Sequence, residues 1–219
     1  MKTWLFGALA GALLTSFAAE SRAADWHRWD DIRFGVRATT FAGTQRVGNG
    51  SIGRVRGGGL DFELGVMRFF AGPLGFDFSL GGLPPLSDFR SIGYGKLEAG
   101  LDLGVVRWGG EVPGALVVGA GVGGDLGKRY DYAGRIYPKL SARLRLAPSK
   151  AVSLFVTTEV LPAAFGPDLR VFEARTELGF AWKLLLIGFR VDHVAETGGT
   201  PSRTYTQQAL GLFAGIGLL

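Results

Sequence analysis

Few residues in this chain are suited to do chemistry, and none of them forms a recognisable catalytic arrangement. The 219 residues contain no cysteine, which excludes disulfides, thiolate metal sites and a cysteine nucleophile. Asp192 and His193 are adjacent, and an acid beside a histidine could support hydrolysis. Neighbouring side chains in a strand point to opposite faces, however, so these two cannot form a direct dyad there. We therefore expect no catalytic residue, no metal site and no cofactor.

His27 and the glycine-rich segment at 48–53 are best interpreted as structural features rather than as catalytic or nucleotide-binding ones. His27 lies in the sequence ADWHRWDD at 24–31, which we interpret as a periplasmic or interfacial lead-in to the first strand. The sequence GNGSIG at 48–53 satisfies the pattern G-x-G-x-x-G. A dinucleotide site requires that pattern between a strand and a helix, whereas a strand follows here. We interpret the segment as a flexible hairpin loop.

Residues 1–23 have the features of a cleaved secretory signal peptide. Lys2 gives the positive start, residues 4–19 form the apolar run, and Ser21 and Ala23 are the small residues that signal peptidase requires. This run is shorter than the roughly 20 residues of a spanning helix. No later apolar segment is long enough to cross a membrane as a helix, so the sequence predicts export without a helical anchor.

Beyond the lead-in at 24–32, apolar residues alternate with small or charged residues, which is typical of β-strands. Leu97, Leu101 and Val105 fall on one face of such a segment, and Glu98 and Asp102 fall on the other. The alternation predicts about ten strands, at 33–44, 54–70, 74–82, 91–107, 113–124, 135–147, 151–161, 169–182, 184–195 and 204–218.

The sizes of the side chains on the two faces indicate which face is inside. One face carries Leu, Phe, Val and Ile, and the other is rich in Gly, Ser, Ala and Thr. A closed sheet of about ten strands has a narrow interior, which the small residues fit. The apolar outside would aggregate in water but is required in lipid. With short connections alternating with longer ones, we predict an all-β fold: a closed antiparallel up-and-down transmembrane β-barrel over 33–219.

The face assigned to the interior is charged but nearly neutral, with eight basic and nine acidic residues. Because an unpaired buried charge is costly, we expect a paired and largely occluded interior. Its basic members are Arg33, Arg37, Lys96, Lys139, Arg143, Arg145, Arg175 and Arg190, and its acidic members are Asp61, Glu63, Asp77, Glu98, Asp102, Glu159, Glu173, Glu177 and Asp192.

The aromatic residues suggest two belts at the membrane interfaces. Trp108 and Trp182 fall near short turns, and the tyrosines fall near the longer loops. Those tyrosines are Tyr94, Tyr130, Tyr132, Tyr137 and Tyr205.

The segments around the longer loops are basic. Anionic lipopolysaccharide phosphates suit such a rim, and solvated loops near an anionic surface are the other interpretation. Export removes the chain from nucleic acid, so its positive charge does not indicate a nucleic-acid partner. The basic residues are Arg46, Arg54, Arg56, Arg90, Lys128, Arg129, Arg135, Arg170 and Arg203, against Asp88, Asp125, Asp131, Asp168 and Glu196.

On these features the chain resembles the small bacterial outer-membrane β-barrel proteins over 33–218. The resemblance rests on the signal peptide, the lack of cysteine, the even number of alternating strands and the alternation of short turns with long loops. It is a likeness of architecture rather than to one named family. It implies that the short turns and both chain ends face the periplasm. Such barrels usually end in an aromatic residue, whereas this chain ends Ile216-Gly217-Leu218-Leu219, which bears on its assembly.

These inferences predict a bacterial outer-membrane protein with a structural or surface-interaction role and no enzymatic activity. We expect its partners to be outer-membrane lipid and lipopolysaccharide, and we favour a monomer. The alternative is a narrow channel for ions or small solutes. The two differ in whether the interior conducts.

Overall fold

The structure is a computed structural model that describes residues 26–50, 52–83, 94–127, 135–165, 169–198 and 203–218. The predicted signal peptide at 1–23 lies outside these residues. Among the residues that are described, no helix is long and apolar enough to cross a membrane.

Ten antiparallel strands form one closed sheet in chain order, and the last strand pairs with the first. This confirms the predicted fold class. The strands are β1 Asp31–Val47, β2 Gly53–Ala71, β3 Leu74–Leu83, β4 Tyr94–Trp108, β5 Gly114–Gly127, β6 Arg135–Ser149, β7 Val152–Phe165, β8 Leu169–Trp182, β9 Leu185–Gly198 and β10 Arg203–Leu218.

The two faces of the sheet lie as the side-chain sizes predict. Leu101 is 68% exposed and Phe180 is 39% exposed, although both are large and apolar. Glu98 is 1% exposed and Glu177 is 6% exposed, although both are charged. The apolar residues therefore point outward and the charged residues inward, which inverts the pattern of a water-soluble protein.

Strand β4 contains a place where the predicted alternation fails. A β-bulge between Gly104 and Val106 shifts the pairing with β5. Because a bulge adds one residue to one strand, Val106 and Trp108 point outward beyond it. The prediction that Val105 points outward was therefore wrong, because strict alternation does not continue through the bulge.

The tight turns collect at one end of the barrel, which we call the short-turn end. Gly72 lies between β2 and β3 with φ 58°, and Lys183 lies between β8 and β9 with φ 54°. A positive φ at the first loop position suits a two-residue hairpin turn. We call the opposite end the long-loop end, and most of its connections lie outside the described residues.

The described part of the predicted lead-in at 24–32 packs at the short-turn end of the barrel. Trp26–Trp29 forms a 3₁₀ turn, and β1 begins at Asp31. Trp26 and Trp29 are buried against Phe69 and Val117, whose side chains face the interior. The alternation of side chains that predicts the strands does not extend to this segment. The sequence alone therefore did not indicate that the segment closes the short-turn end.

Two further apolar clusters lie inside the barrel. One of them contains Tyr137, Leu161, Val171 and Val194, and the other contains Phe155, Ala181, Leu186 and Phe213.

The interior position of two tyrosines corrects part of the predicted belts. Tyr137 is 1% exposed and Tyr205 is 8% exposed, so neither lies at the lipid interface. Trp108 and Trp182 are exposed near short turns, in agreement with the predicted belt at that end.

Candidate functional site

The middle of the barrel is filled by ion pairs, and Glu63 on β2 is the first of their two centres. Its carboxylate lies 2.8 Å from the Arg37 guanidinium and 3.3 Å from the Arg190 guanidinium. Arg33 and Lys96 lie 3.7 Å from it. These cations come from β1, β4 and β9, so one carboxylate ties together strands from opposite sides of the barrel.

Glu98 on β4 is the second centre, and it is almost completely buried. Arg175 lies 2.6 Å from its carboxylate, and the Tyr137 hydroxyl donates a hydrogen bond of 2.8 Å to it. Ser79 donates another, of 3.2 Å. Lys96 lies 3.6 Å from Glu98 and also contacts Glu63, so it joins the two centres.

A third group extends from Glu98 toward the short-turn end. Lys139 lies 3.8 Å from Glu98 and also pairs with Asp77. Arg143 lies 3.2 Å from Asp77 and 3.3 Å from Asp102. Strands β3, β4 and β6 are thereby linked across the interior.

The remaining acids pair with cations already named. Arg175 contacts Glu173 at 2.7 Å and Glu159 at 3.5 Å. Arg190 contacts Asp192 at 2.5 Å. The other two pairs join Arg33 to Glu177 at 2.7 Å and Arg37 to Asp61 at 3.4 Å.

These contacts join all but one of the residues that the sequence assigned to the interior into a single connected network. It holds seven cations and nine acids: Arg33, Arg37, Lys96, Lys139, Arg143, Arg175, Arg190, Asp61, Glu63, Asp77, Glu98, Asp102, Glu159, Glu173, Glu177 and Asp192.

Arg145 is the exception, because it lies at the short-turn end beside the 3₁₀ turn. Its guanidinium donates to the Ser153 hydroxyl at 2.8 Å and to the Asp30 carbonyl at 3.2 Å. It also lies 5.6 Å from the centre of the Trp29 ring. It forms no ion pair with a carboxylate of the described chain.

Glycines on β5 make room for this network. Gly123 is paired with Tyr137 across β5 and β6, and the tyrosine ring lies over it. A side chain at Gly119 would overlap Asp102 and come within 2.5 Å of Ser141. The absence of a Cβ at these positions allows large polar groups to fold over the strand.

The described part of the network encloses a small cavity. A cavity of about 10 Å³ lies among Arg37, Asp61, Glu63, Lys96 and neighbouring residues. A space of that size holds about one water molecule.

Asp192 and His193 do not form a catalytic pair. Asp192 is buried and contacts Arg190 in the interior, whereas His193 is exposed on the outer surface. His27 is exposed, with its Nδ1 3.4 Å from the Asp30 carboxylate. Within the described residues, no group of three or more His, Asp or Glu side chains is arranged to hold a metal ion.

The outer surface at the long-loop end is basic. Arg46, Arg54, Arg56 and Arg170 all lie at strand ends there and are exposed. The pairings Arg46 with Thr204, Thr204 with Thr197, and Thr197 with Arg170 place two of these arginines in one row across four strands. We call the four arginines the outer rim.

Two acids that were counted against the basic loops lie inside the barrel. Asp125 is 2% exposed and Glu196 is 3% exposed. The placement of these two in the loops was wrong, because β5 and β9 continue past the predicted strand ends. Arg90, Lys128, Arg129, Asp88, Asp131 and Asp168, which belong to the same prediction, lie outside the described residues.

All described Asp and Glu residues of the strands are buried or half-buried, and the outward face between the two ends is predominantly apolar. Such a surface requires lipid, and the closed sheet leaves no unpaired edge in it. The chain is a small transmembrane β-barrel.

Known proteins resemble this chain only at low similarity. No protein-family model and no curated protein matches the chain. Among solved structures, the outer membrane protease OmpT from Escherichia coli is similar with a TM-score of 0.42 and 6% identity, over 86% of this chain and 95% of that chain. Outer membrane phospholipase A from Escherichia coli has a TM-score of 0.38 and 13% identity, over 83% and 91%. The attachment invasion locus protein Ail of Yersinia pestis has a TM-score of 0.32 and 12% identity, over 85% of this chain and 99% of that chain.

Proposed function

We propose that the chain is a bacterial outer-membrane barrel that does not conduct, and that its outer rim contacts anionic lipopolysaccharide. Its role is structural or one of surface interaction rather than enzymatic. The observation that carries the proposal is the connected network of seven cations and nine acids across the barrel interior. The predicted signal peptide and the apolar outer surface support the location.

The network opposes the passage of ions because each of its charged side chains is held in place by an ion pair. An ion passing through would have to separate pairs such as Arg37 with Glu63 and Arg175 with Glu98, at 2.8 Å and 2.6 Å. Breaking a buried pair costs about 3–5 kcal/mol. The buried cluster around Trp26 and Trp29 adds an apolar barrier at the short-turn end.

Planar-bilayer recording of the refolded full chain tests this proposal. We expect electrically silent bilayers for the natural sequence. The double variant Arg37→Ala with Glu63→Ala removes a central pair without changing net charge, and we expect it to give measurable conductance. That variant also shows that insertion has occurred. Steady conductance of the natural sequence would instead support the narrow channel.

The outer rim supports contact with lipopolysaccharide. Arg46, Arg54, Arg56 and Arg170 are exposed, and no described outward-facing strand residue beside them is acidic. Guanidinium groups bind phosphate with charge-assisted hydrogen bonds. The threonines between the arginines, Thr44 and Thr206 among them, supply hydroxyl groups at the same level.

Binding of purified lipopolysaccharide to the barrel in detergent tests the rim. We expect the double variant Arg46→Gln with Arg54→Gln to bind about a hundredfold more weakly, since each charged hydrogen bond contributes about 1.5–3 kcal/mol. Arg68→Gln with Arg107→Gln removes the same charge from exposed positions at the short-turn end and serves as the control. Equal losses in both variants would mean that net charge alone attracts the lipid.

A further inference from the structure

A basic cavity opens at the short-turn end, away from both the central network and the outer rim. Its volume is about 300 Å³, and it lies between the 3₁₀ turn and the hairpins β6–β7 and β8–β9. Arg28, Arg145, Lys150 and Lys183 line it, and none of its lining residues is Asp or Glu. Every other cation that the sequence assigned to the interior is paired with a carboxylate, so this concentration of positive charge is distinctive.

Arg145 is fixed at the wall of this cavity by neutral partners. Ser153 and the Asp30 carbonyl accept its hydrogen bonds at 2.8 Å and 3.2 Å. Trp29 carries two guanidinium groups near its ring, Arg145 at 5.6 Å and Arg28 at 5.7 Å from the ring centre. Cation–π contacts hold these groups in position without neutralising them. Both guanidinium groups therefore keep their positive charge at the cavity wall.

The other walls suit an anion that is attached to a less polar group. Ser149 and Ser153 bring hydroxyl groups to the cavity, while Ala147, Val152 and Ala181 supply apolar surface. A free inorganic anion would make no use of that apolar surface. An anion on a small organic group would use both kinds of wall.

The position of the cavity indicates where such an anion would come from. Trp182 is 52% exposed and Leu184 is 57% exposed on the outer surface beside it, and Lys183 lies over the Trp182 ring at 5.8 Å. Exposed tryptophans mark the level of the lipid headgroups. The cavity therefore opens near the headgroups of the leaflet at the short-turn end.

We propose that this cavity binds a phosphate ester, with Arg145 and Arg28 holding the phosphate and Lys150 and Lys183 closing over it. Arginine suits this role because its planar fork matches two phosphate oxygens. Phosphate esters at this level occur as anionic phospholipid headgroups and as soluble phosphates, and both present the same chemistry. The site is distinct from the proposed lipopolysaccharide contact, which lies at the opposite end of the barrel.

Native mass spectrometry of the full barrel released from nanodiscs tests the site. The nanodiscs contain phosphatidylcholine with a minority of phosphatidylglycerol, and the readout is the phosphatidylglycerol that stays bound. We expect Arg145→Gln, and separately Lys150→Gln with Lys183→Gln, to reduce retention about tenfold. Arg68→Gln with Arg107→Gln removes the same charge as the lysine pair from exposed positions outside the cavity lining, and we expect it to leave retention unchanged.

Competition separates the two sources of the phosphate. Displacement of bound phosphatidylglycerol by millimolar glycerol phosphate, with inorganic phosphate much weaker, would show that the site reads the ester. If inorganic phosphate displaces the lipid as well as glycerol phosphate does at the same concentration, the site binds phosphate without selecting an ester. That result would overturn the proposed preference for a phosphate ester. Unchanged retention in the lysine pair, whose side chains lie on turns and do not support the fold, would overturn the whole proposal even if Arg145→Gln failed to fold.

Discussion

The two faces of the same strands differ in how their residues are held. The outer face is made of separate side chains such as Leu101 and Leu140, which are exposed, and we expect other apolar residues to replace them. The inner face is a network in which Glu98 alone contacts Arg175, Lys96, Lys139 and other residues. The two faces of one sheet should therefore respond differently to substitution. The outer face should tolerate an exchange of apolar side chains, whereas a single substitution on the inner face affects many interacting residues.

The strongest test of this comparison is Glu98→Ala. The change removes the carboxylate that three buried cations share, although each keeps another acidic partner, and removing one partner of a buried ion pair costs about 3–5 kcal/mol. We therefore expect the free energy of unfolding to fall by about 4 kcal/mol, measured by reversible urea unfolding in detergent or lipid vesicles.

Glu98→Gln is the matched control for that measurement. It keeps the size of the side chain and one oxygen that can accept from Tyr137, and it replaces the charged carboxylate by a neutral amide with a single acceptor oxygen. We expect a smaller loss than for Glu98→Ala. If neither variant changes the stability of the barrel, the ion pairs do not hold the interior together.

Gly123→Ala gives an intermediate effect on the same face. The added methyl group would overlap the Tyr137 ring, which lies over Gly123 and carries the hydroxyl bound to Glu98. Overpacking of this kind costs about 1–3 kcal/mol, and we expect about 2 kcal/mol in the same unfolding measurement.

Gly95→Ala is its control, because a methyl group there meets no atom within 4 Å. We expect that variant to change stability little. Equal effects at the two glycines would indicate that the cost lies in the backbone rather than in the tyrosine.

The sequence was sufficient to predict the barrel because alternation is a local property. Leu101 and Glu98 reveal their faces within a few residues of chain, and the same holds for nearly every strand. The bulge at Gly104–Val106 is the exception, because an inserted residue changes the phase without changing the composition.

The partners of the charged residues could not be predicted in the same way. Arg33 and Glu177 are 144 residues apart in the chain and meet only when the sheet closes. The closure of the short-turn end by Trp26 and Trp29 was missed for a similar reason, since tryptophan suits both an interface and an apolar interior. Which of the two applies depends on the space left by Phe69 and Val117, and that space is set by tertiary packing.

The smallest effect is expected when the same substitution is made on the two faces. The two variants are Leu161→Ala on the inner face and Leu101→Ala on the outer face. Leu161 is 1% exposed inside the barrel, and Leu101 is 68% exposed on the outside. Removing the outer side chain loses its transfer from water, about 0.8 kcal/mol for each CH₂ group, but lipid chains refill the space. Removing the inner one loses the same transfer and leaves a cavity that the rigid network cannot fill. We expect Leu161→Ala to be more destabilising by about 1 kcal/mol, and the reverse order would mean that the interior relaxes as freely as the surrounding lipid.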